Sequence, residues 1–127
     1  MPQITKFFLL LGGFGALTAV IFGAFGAHAL RKMLAPDLMV IYETGVQYHF
    51  YHALGLLAVA LMTWHMPESV LLKWSAWLMV AGIVIFSGSL YALSISGLRW
   101  LGAITPIGGT AFIAAWLLLI IAVLRAS

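Results

Sequence analysis

The chain has 127 residues, of which 65% are hydrophobic and 7% are charged, and its formal net charge is +3. Soluble domains carry roughly 25% charged residues, and a chain this short cannot conceal so much apolar surface in one core. This composition excludes an ordinary soluble domain, and the few scattered cations exclude a nucleic-acid-binding surface. The lack of cysteine excludes disulfides, thiolate metal ligands and a cysteine nucleophile.

Four apolar blocks divide the chain. Each can cross about 30 Å of hydrocarbon at about 1.5 Å per residue, and backbone in lipid must be hydrogen-bonded internally, which favours helices. The links between the blocks are short, so sequential helices should run antiparallel. The sequence predicts one all-α integral membrane domain over residues 1–127, an antiparallel four-transmembrane-helix bundle with short loops. The predicted spans are residues 7–30, 43–64, 74–96 and 106–124.

The first block is predicted to be a retained span. Its apolar run, residues 7–27, is longer than the roughly 7–15 residues of a signal-peptide core. Small residues recur at every fourth position along this block, a spacing that lets a second helix approach closely in lipid. A similar series occurs in the third block. The helix-packing residues predicted on this basis are Gly15, Ala19, Gly23, Ala27 and Gly88.

The second block carries an unusual density of polar side chains for a membrane-spanning helix. At roughly 100° per residue, Tyr48, His49 and His52 share one face, and Glu43 lies on the opposite side. Glu43 also begins the predicted helix, where a negative charge suits the positive end of the helix dipole. We expect it to form a local cap or a salt bridge to the cations at residues 31–32.

Antiparallel spans allow the depths of side chains to be compared. Polar side chains from all four predicted helices fall in the half of the membrane near the two loops opposite the termini, and the other half is nearly bare of them. This distribution indicates a pocket open to one side, because a channel needs polar groups along its whole length. The residues predicted to form this polar half-pocket are His28, Gln47, Tyr48, His49, His52, Tyr91 and Ser94.

Ionisable side chains inside a membrane are functional candidates because their burial is costly. Three interpretations of the histidines stay open: ligation of a metal or haem iron, a proton relay that includes Glu43, and hydrogen bonding between helices. Neither a nucleophile elbow nor a phosphate-binding loop is present, so the chain is not expected to be an enzyme, and no catalytic residue or cofactor is predicted. The candidate metal ligands are His28, His49 and His52.

Ordered motifs along nearly the whole chain resemble those of one family. They are GAFGAHAL at residues 23–30, QYH at 47–49, HAL at 52–54, FSGSLY at 86–91 and LGAITPIGG at 101–109. On these motifs the chain resembles the domain of unknown function 423 family of small bacterial membrane proteins, which has a eukaryotic branch called transmembrane protein 256. The resemblance implies a four-span architecture and a multi-pass location in the bacterial plasma (inner) membrane. It implies no particular activity.

Three hypotheses for function follow. The first is a structural or accessory membrane component, either a homo-oligomer or a subunit of a larger membrane complex, with the small-residue ridge of the first helix as its docking surface if that ridge faces outward. The second is a binder or carrier of a lipid or small amphiphile in the polar half-pocket, and the third is a histidine-ligated metal or haem site. Membrane lipids are the expected partners. The positive charges are tied at three on each side, so the orientation of the termini is not predicted.

Overall fold

The computed structural model describes residues 1–127 and consists entirely of helices and short loops. Helices cover all four predicted apolar blocks. A π-helical turn, Ile83–Ser87, joins the third and fourth α-helices without a break, and we call these three segments together the α3–α4 rod. The helices are α1 (Gln3–His28), α2 (Pro36–His65), α3 (Val70–Gly82), α4 (Gly88–Ser96) and α5 (Thr105–Arg125), with 3-10 turns at Leu30–Lys32 and Arg99–Ala103.

Local sequence signals account for the ends of these helices. Pro36 occupies the first turn of α2, where its missing N–H costs nothing, and Asp37 beside it complements the helix dipole. The Ser69 side chain accepts a hydrogen bond of 3.3 Å from the Leu72 N–H and so caps α3. Gly97 ends α4 with a φ of 74°, a left-handed conformation that glycine adopts without strain. Helix α2 thus begins well before the span predicted for it.

Three helical stretches are long and apolar enough to cross a membrane: Gln3–Lys32, Val70–Ser96 and Arg99–Arg125. Helix α2 is the longest α-helix, at 30 residues, but it does not meet that standard, since its histidines and other polar side chains lower its apolar character. Large hydrophobic side chains cover much of the outer surface of the bundle. An apolar exterior of this extent is typical of a protein that lies in lipid.

Helix α1 is attached to the rest of the protein mainly through α2. It packs along α2 and has no comparable contact with the α3–α4 rod or with α5. The ridge of small residues makes this contact: a Cβ added to Gly15 would lie 3.2 Å from the Ala53 Cβ, and one added to Gly23 would lie 3.3 Å from Val46 Cγ1. Ala19 is also buried, whereas Ala27 is exposed. Most of the ridge therefore faces α2, and only its end at Ala27 is exposed.

The α3–α4 rod packs on its other side against α5, and here the helices touch at glycines. A Cβ at Gly108 of α5 would overlap the backbone of Phe86 in the π turn, with the Phe86 Cα only 2.8 Å away. A Cβ at Gly82 would overlap the ring of Phe112 on α5. Because a π turn accommodates an extra residue, it shifts the faces of α3 and α4 relative to one another. The simple helical periodicity of the sequence does not predict that shift.

Gly88 does not take part in helix packing within the chain, contrary to the prediction. No atom of another segment lies within 4 Å of the position that its Cβ would occupy. The physical reason is that α1 leans on α2 and leaves open space beside this part of the rod. Gly88 lines that space instead.

The main hydrophobic core lies in the half of the bundle nearest the termini, where Phe8, Leu56 and Met79 are among the fully buried side chains. This half also holds a polar contact that the sequence analysis did not anticipate. The hydroxyls of Thr5 and Thr63 lie 2.7 Å apart in a fully buried hydrogen bond between α1 and α2. Hydrogen bonding therefore also joins helices in the half of the bundle that was predicted to be nearly bare of polar groups.

Candidate functional site

A cleft of about 460 Å³ opens between α1 and the α3–α4 rod, with α2 as its floor. Its walls are apolar side chains such as Leu11 and Phe14 from α1 and Val80 and Val84 from the rod. Phe14 and Val84 are 65% and 67% exposed, so the mouth of the cleft is on the apolar side surface of the bundle. The cleft is therefore a lateral groove in the apolar surface of the bundle.

Aromatic contacts close both ends of the cleft. Near the loops opposite the termini, Phe22 of α1 lies edge-on to Tyr91 of α4, with ring centroids 5.2 Å apart. Near the termini, Phe8 lies edge-on to Trp77 of α3, with centroids 5.6 Å apart. Edge-to-face rings at this separation attract each other. Helix α1 therefore touches the rod at two points and leaves the cleft between them.

Three polar side chains form one hydrogen-bonded cluster on the wall of the cleft, and we call Thr18, His49 and Tyr91 the polar triad. Thr18 Oγ1 lies 3.1 Å from His49 Nε2. His49 Nδ1 lies 2.8 Å from the hydroxyl oxygen of Tyr91. The triad joins α1, α2 and α4, so the predicted inward orientation of His49 is confirmed.

The hydrogen positions in the polar triad follow from the surrounding acceptors. Thr18 Oγ1 lies 2.9 Å from the Gly15 carbonyl oxygen and 3.1 Å from the Phe14 carbonyl oxygen, so its single hydrogen is donated to backbone. Its oxygen then accepts from the N–H at Nε2 of His49. With Nε2 protonated, neutral His49 accepts at Nδ1 from the Tyr91 hydroxyl. Every donor in the triad has a partner in this arrangement, as buried polar groups require.

His52 lies one turn further along α2 and has a different environment. The indole N–H of Trp116 donates to His52 Nε2 at 3.0 Å, so this nitrogen carries no hydrogen. Nδ1 therefore carries the hydrogen and donates to the Tyr48 carbonyl oxygen at 2.8 Å. The imidazole also stacks on Phe112 of α5, with ring centroids 3.5 Å apart and planes 10° apart. Both nitrogens and one ring face are occupied, so His52 fastens α2 to α5.

The predicted histidine metal site is not assembled. His28 is exposed at the end of α1, whereas His49 faces α1 and α4 and His52 faces α5. The structure contains no group of three or more histidine, cysteine, aspartate or glutamate side chains that could hold a metal ion. The three-residue spacing turns the two buried rings by roughly 60° around the helix, which is enough to direct them to different neighbours.

Other residues predicted for the pocket lie outside the cleft. Gln47 is exposed on the far side of the α1–α2 contact. The Tyr48 ring packs against Phe86, with centroids 4.7 Å apart, and is directed towards α5. Ser94 is buried and donates to the Tyr91 carbonyl oxygen at 2.9 Å within its own helix. Of the seven predicted residues, His49 and Tyr91 line the cleft.

Comparison with known proteins gives the family. Residues 22–109 match the model of a family described as "Protein of unknown function (DUF423)". The chain belongs to this family. It is similar to the UPF0382 membrane protein YwdK of Bacillus subtilis strain 168, at 48% identity over 94% of this chain and 98% of the relative. A UPF0382 membrane protein of Staphylococcus epidermidis strain ATCC 12228 is also 48% identical, over 94% and 97% of the two chains. No solved structure matches.

The matched region places the functional candidates of this DUF423 protein in two groups. His49, His52 and Tyr91 lie inside residues 22–109, whereas Thr18 and Trp116 lie outside. The bacterial relatives are named membrane proteins, in agreement with the apolar helices, so this DUF423 chain is a membrane protein of a family described as being of unknown function.

Two ion pairs lie near the loops opposite the termini. The Arg31 guanidinium lies 2.7 Å from a Glu43 carboxylate oxygen, as the sequence of this DUF423 protein predicts, beside a cavity of about 210 Å³. Arg99 pairs with Asp37. Asp37 lies outside the predicted span, and hydrogen bonding from the Arg99 guanidinium holds the pKa of its carboxyl below the usual range. Both pairs are exposed and sit where headgroups would surround them.

Sequence reasoning missed two side chains that complete the buried histidine sites. Thr18 is the only polar residue of α1 between Lys6 and His28, and it lies at the same depth as His49 when the helices are counted from their shared loop. Its hydroxyl could have been matched to His49 on that basis. Trp116 lies within the fourth predicted span, and its indole N–H needs an acceptor when it points into a bundle. The acceptor is His52.

Proposed function

We propose that the protein crosses the bacterial plasma membrane four times. One of the four crossings is α2, a helix whose apolar character alone does not identify it as a span. At about 1.5 Å per residue, the 30 residues of α2 extend about 45 Å, longer than the hydrocarbon core. Its histidines are hydrogen-bonded to α1, α4 and α5, which would keep them out of lipid. The antiparallel contact of α2 with two candidate spans supports a crossing of its own.

The absence of native cysteine permits a direct test of this topology. Met33→Cys lies in the loop before α2 and Glu68→Cys in the loop after it, and both native side chains are exposed. Four crossings place these two positions on opposite sides of the membrane. A membrane-impermeant maleimide applied to intact cells should label one variant and not the other, and both after lysis. Labelling of both variants in intact cells, or of neither, would contradict the proposal.

We propose further that the protein binds a lipid or small amphiphile in the cleft between α1 and the α3–α4 rod. The observation that carries this proposal is an apolar cleft of about 460 Å³ with one polar cluster on its wall. Ligand sites commonly have volumes of about 300–1,000 Å³ and combine apolar walls with a few placed polar groups. The role is one of binding rather than catalysis, because the polar triad contains no activated nucleophile or ionised carboxylate.

The alternative functions receive less support from the geometry. A docking role was tied to the small-residue ridge of α1, but α2 covers that ridge at Gly15 and Gly23. A metal or haem role was tied to three histidines, but His28 lies apart from the two buried ones. A proton relay with Glu43 would need contact with His49, whereas Glu43 pairs with Arg31 at the surface. A ligand bound in the cleft, by contrast, would explain why the space between α1 and the α3–α4 rod is open.

The binding proposal is tested by filling the cleft. Gly88 lines it and has no neighbour within 4 Å, so Gly88→Phe should place a ring in the cleft without disturbing a helix contact. Gly13→Phe is the matched control, because Gly13 is equally free of neighbours but does not line the cleft. Native mass spectrometry of the purified proteins should show a stoichiometric lipid on the wild type and Gly13→Phe, and its loss from Gly88→Phe. Equal lipid occupancy on all three proteins would contradict the proposal.

A further inference from the structure

The cleft is free of charge along its whole lining. Its polar groups are Thr18, His49 and Tyr91, and no lysine, arginine, aspartate or glutamate lines it. The paired charges, such as Arg31 with Glu43, lie near the loops instead. A ligand with an ionised headgroup would find no counter-ion in this cleft.

The polar triad also lies deep in the predicted membrane. At about 1.5 Å per residue, Thr18 lies about 15 Å from His28 at one end of α1 and about 22 Å from Gln3 at the other. In a hydrocarbon core about 30 Å thick, this position is close to the middle. A charge held at that depth is costly, and a phospholipid headgroup would have to leave the interface to reach it. The polar group of a ligand at the triad is therefore small and uncharged.

The hydrogen-bonding capacity left in the triad is the capacity to accept. The Thr18 hydrogen is donated to backbone, the His49 hydrogen to Thr18, and the Tyr91 hydrogen to His49, so no donor is left over. The hydroxyl oxygens of Thr18 and Tyr91 each keep a lone pair that nothing in the protein uses. A ligand can add a hydrogen bond to this cluster without breaking one only if the ligand donates.

The opposite direction of hydrogen bonding would favour a different ligand. If Thr18 donated to His49 Nε2, then His49 Nδ1 would donate to Tyr91, and the Tyr91 hydrogen would point into an apolar cleft without an acceptor. Thr18 would also give up its hydrogen bond to the Gly15 carbonyl oxygen, 2.9 Å from Thr18 Oγ1, although that carbonyl keeps its partner within the helix. A buried donor without a partner is destabilising. The direction of hydrogen bonding that presents acceptors to the cleft is therefore the more stable one.

From these observations we infer that the cleft selects a neutral long-chain alcohol, a lipid whose one polar group is a hydroxyl that donates to the polar triad. The same chain ending in a ketone or a methyl ether only accepts, and it could bind only through the apolar walls or by reversing the triad. The same chain ending in a carboxylate would bring a charge to mid-membrane depth. This inference rests on the proposed lipid-binding function and specifies its ligand class.

Four matched probes test the inference on the full-length protein in detergent: hexadecan-1-ol, hexadecyl methyl ether, hexadecan-2-one and hexadecanoate. Binding of each is measured by native mass spectrometry at matched concentrations. We expect the alcohol to bind at least tenfold more tightly than the other three. Equal binding of the alcohol, ether and ketone, or tighter binding of the ketone or the carboxylate, would overturn the inference and leave the lipid-binding proposal standing. Binding of none of the four would overturn both.

A variant assigns the preference to the triad. Tyr91→Phe alone would free the His49 Nδ1 acceptor, so the variant combines Thr18→Val, His49→Leu and Tyr91→Phe. It leaves no side-chain acceptor at this place and should reduce the affinity for the alcohol about tenfold, with little change for the ether. Tyr51→Phe is the matched control, because the Tyr51 ring is 55% exposed and does not line the cleft. A preference for the alcohol that survives in the triple variant would overturn the assignment to the triad. If the triple variant is not recovered folded, the four wild-type measurements decide.

Discussion

The two sides of the α3–α4 rod are packed very differently. On the side of α5, glycines at positions 82 and 108 allow helix surfaces to meet so closely that a single added carbon would overlap the neighbour. On the side of α1, Gly88 faces open space in a cleft of about 460 Å³. One side is closed by direct contact and the other is held open by two aromatic pairs. A membrane bundle of this size does not need such a gap for stability, and so the open side is where a ligand site is expected.

The two buried histidines follow the same division. His52 belongs to the closed side, where Trp116 and Phe112 occupy its ring nitrogen and its face. His49 belongs to the open side, where Tyr91 completes a polar cluster that borders the cleft. Of two histidines on one helix face, one therefore joins α2 to α5, and the other borders the cleft that is proposed to bind a ligand. The neighbours, and not the residue type, decide which.

The largest expected effect comes from adding one carbon atom at a glycine on each side of the α3–α4 rod. Gly108→Ala should destabilise the protein by about 1–3 kcal/mol, because its Cβ would overlap the backbone of Phe86, which cannot move without shifting the π turn. Gly88→Ala should leave stability nearly unchanged, because no atom lies within 4 Å. Reversible unfolding in mixed micelles measures both. Equal losses in the two variants would show that the sides do not differ in packing.

The next effect compares the histidines. His52→Leu leaves the Trp116 indole N–H without its acceptor and should cost about 1–2 kcal/mol of stability. His49→Leu likewise leaves the Tyr91 hydroxyl without its acceptor, so it is compared in a Tyr91→Phe background, where it should cost less because the new side chain can extend into the apolar cleft. A double-mutant cycle with Trp116→Phe isolates the His52 contact, and its coupling should be near the membrane average of about 0.6 kcal/mol. A larger loss from His49→Leu in the Tyr91→Phe background than from His52→Leu in the Trp116→Phe background would reverse the assignment of roles.

A smaller effect concerns the attachment of α1 to α2. Thr5→Val and Thr63→Val keep the side-chain shape and remove the buried hydrogen bond of 2.7 Å, so each should cost about 0.6 kcal/mol. The double variant should lose less than the sum of the two, because both changes remove the same bond. Unfolding of the three variants under one set of conditions checks this. Full additivity would mean that the hydroxyls act independently.

The smallest expected effect comes from the exposed ion pair between Arg99 and Asp37. Arg99 lowers the pKa of Asp37, so the carboxylate is favoured in the folded protein. The stability that the ion pair contributes is present above the unfolded-state pKa of 3.8. This stability is lost as the pH falls through the lowered pKa of the folded state. The stability of the wild type should therefore decline slightly more than that of Asp37→Asn between pH 5 and pH 3. The unfolding midpoint against pH measures the difference. A steeper decline of stability in Asp37→Asn than in the wild type would contradict a stabilising ion pair.

The sequence predicted the helical segments well because apolar length acts locally, although α2 begins at Pro36, before the span predicted for it. It also predicted the Arg31–Glu43 pair, since both residues flank one short loop. The inward orientation of His49 and His52 followed from the cost of exposing imidazole to lipid. Each of these conclusions needs only the position of a residue along its own helix and the nature of the solvent around it.

The site could not be predicted in the same way because it depends on how helices lean against each other. Depth along the bundle grouped His28 with His49, but depth does not give the direction around the helix axis, and His28 is exposed. The π turn displaces the face of α4, so Gly88 reaches the cleft instead of a helix contact. The cleft exists because α1 packs mainly on α2 and touches the α3–α4 rod only at its two ends, which is a property of the whole bundle.

The dependence of α1 on α2 also bears on how the chain is made. Helices α1 and α2 are adjacent in sequence and pack against each other, and the α3–α4 rod and α5 form a second pair of the same kind. Each hairpin can therefore close while the ribosome is still extending the chain, with few distant contacts to wait for. The last step of folding is then the docking of the two formed hairpins against each other. This late docking leaves the lateral gap beside α1.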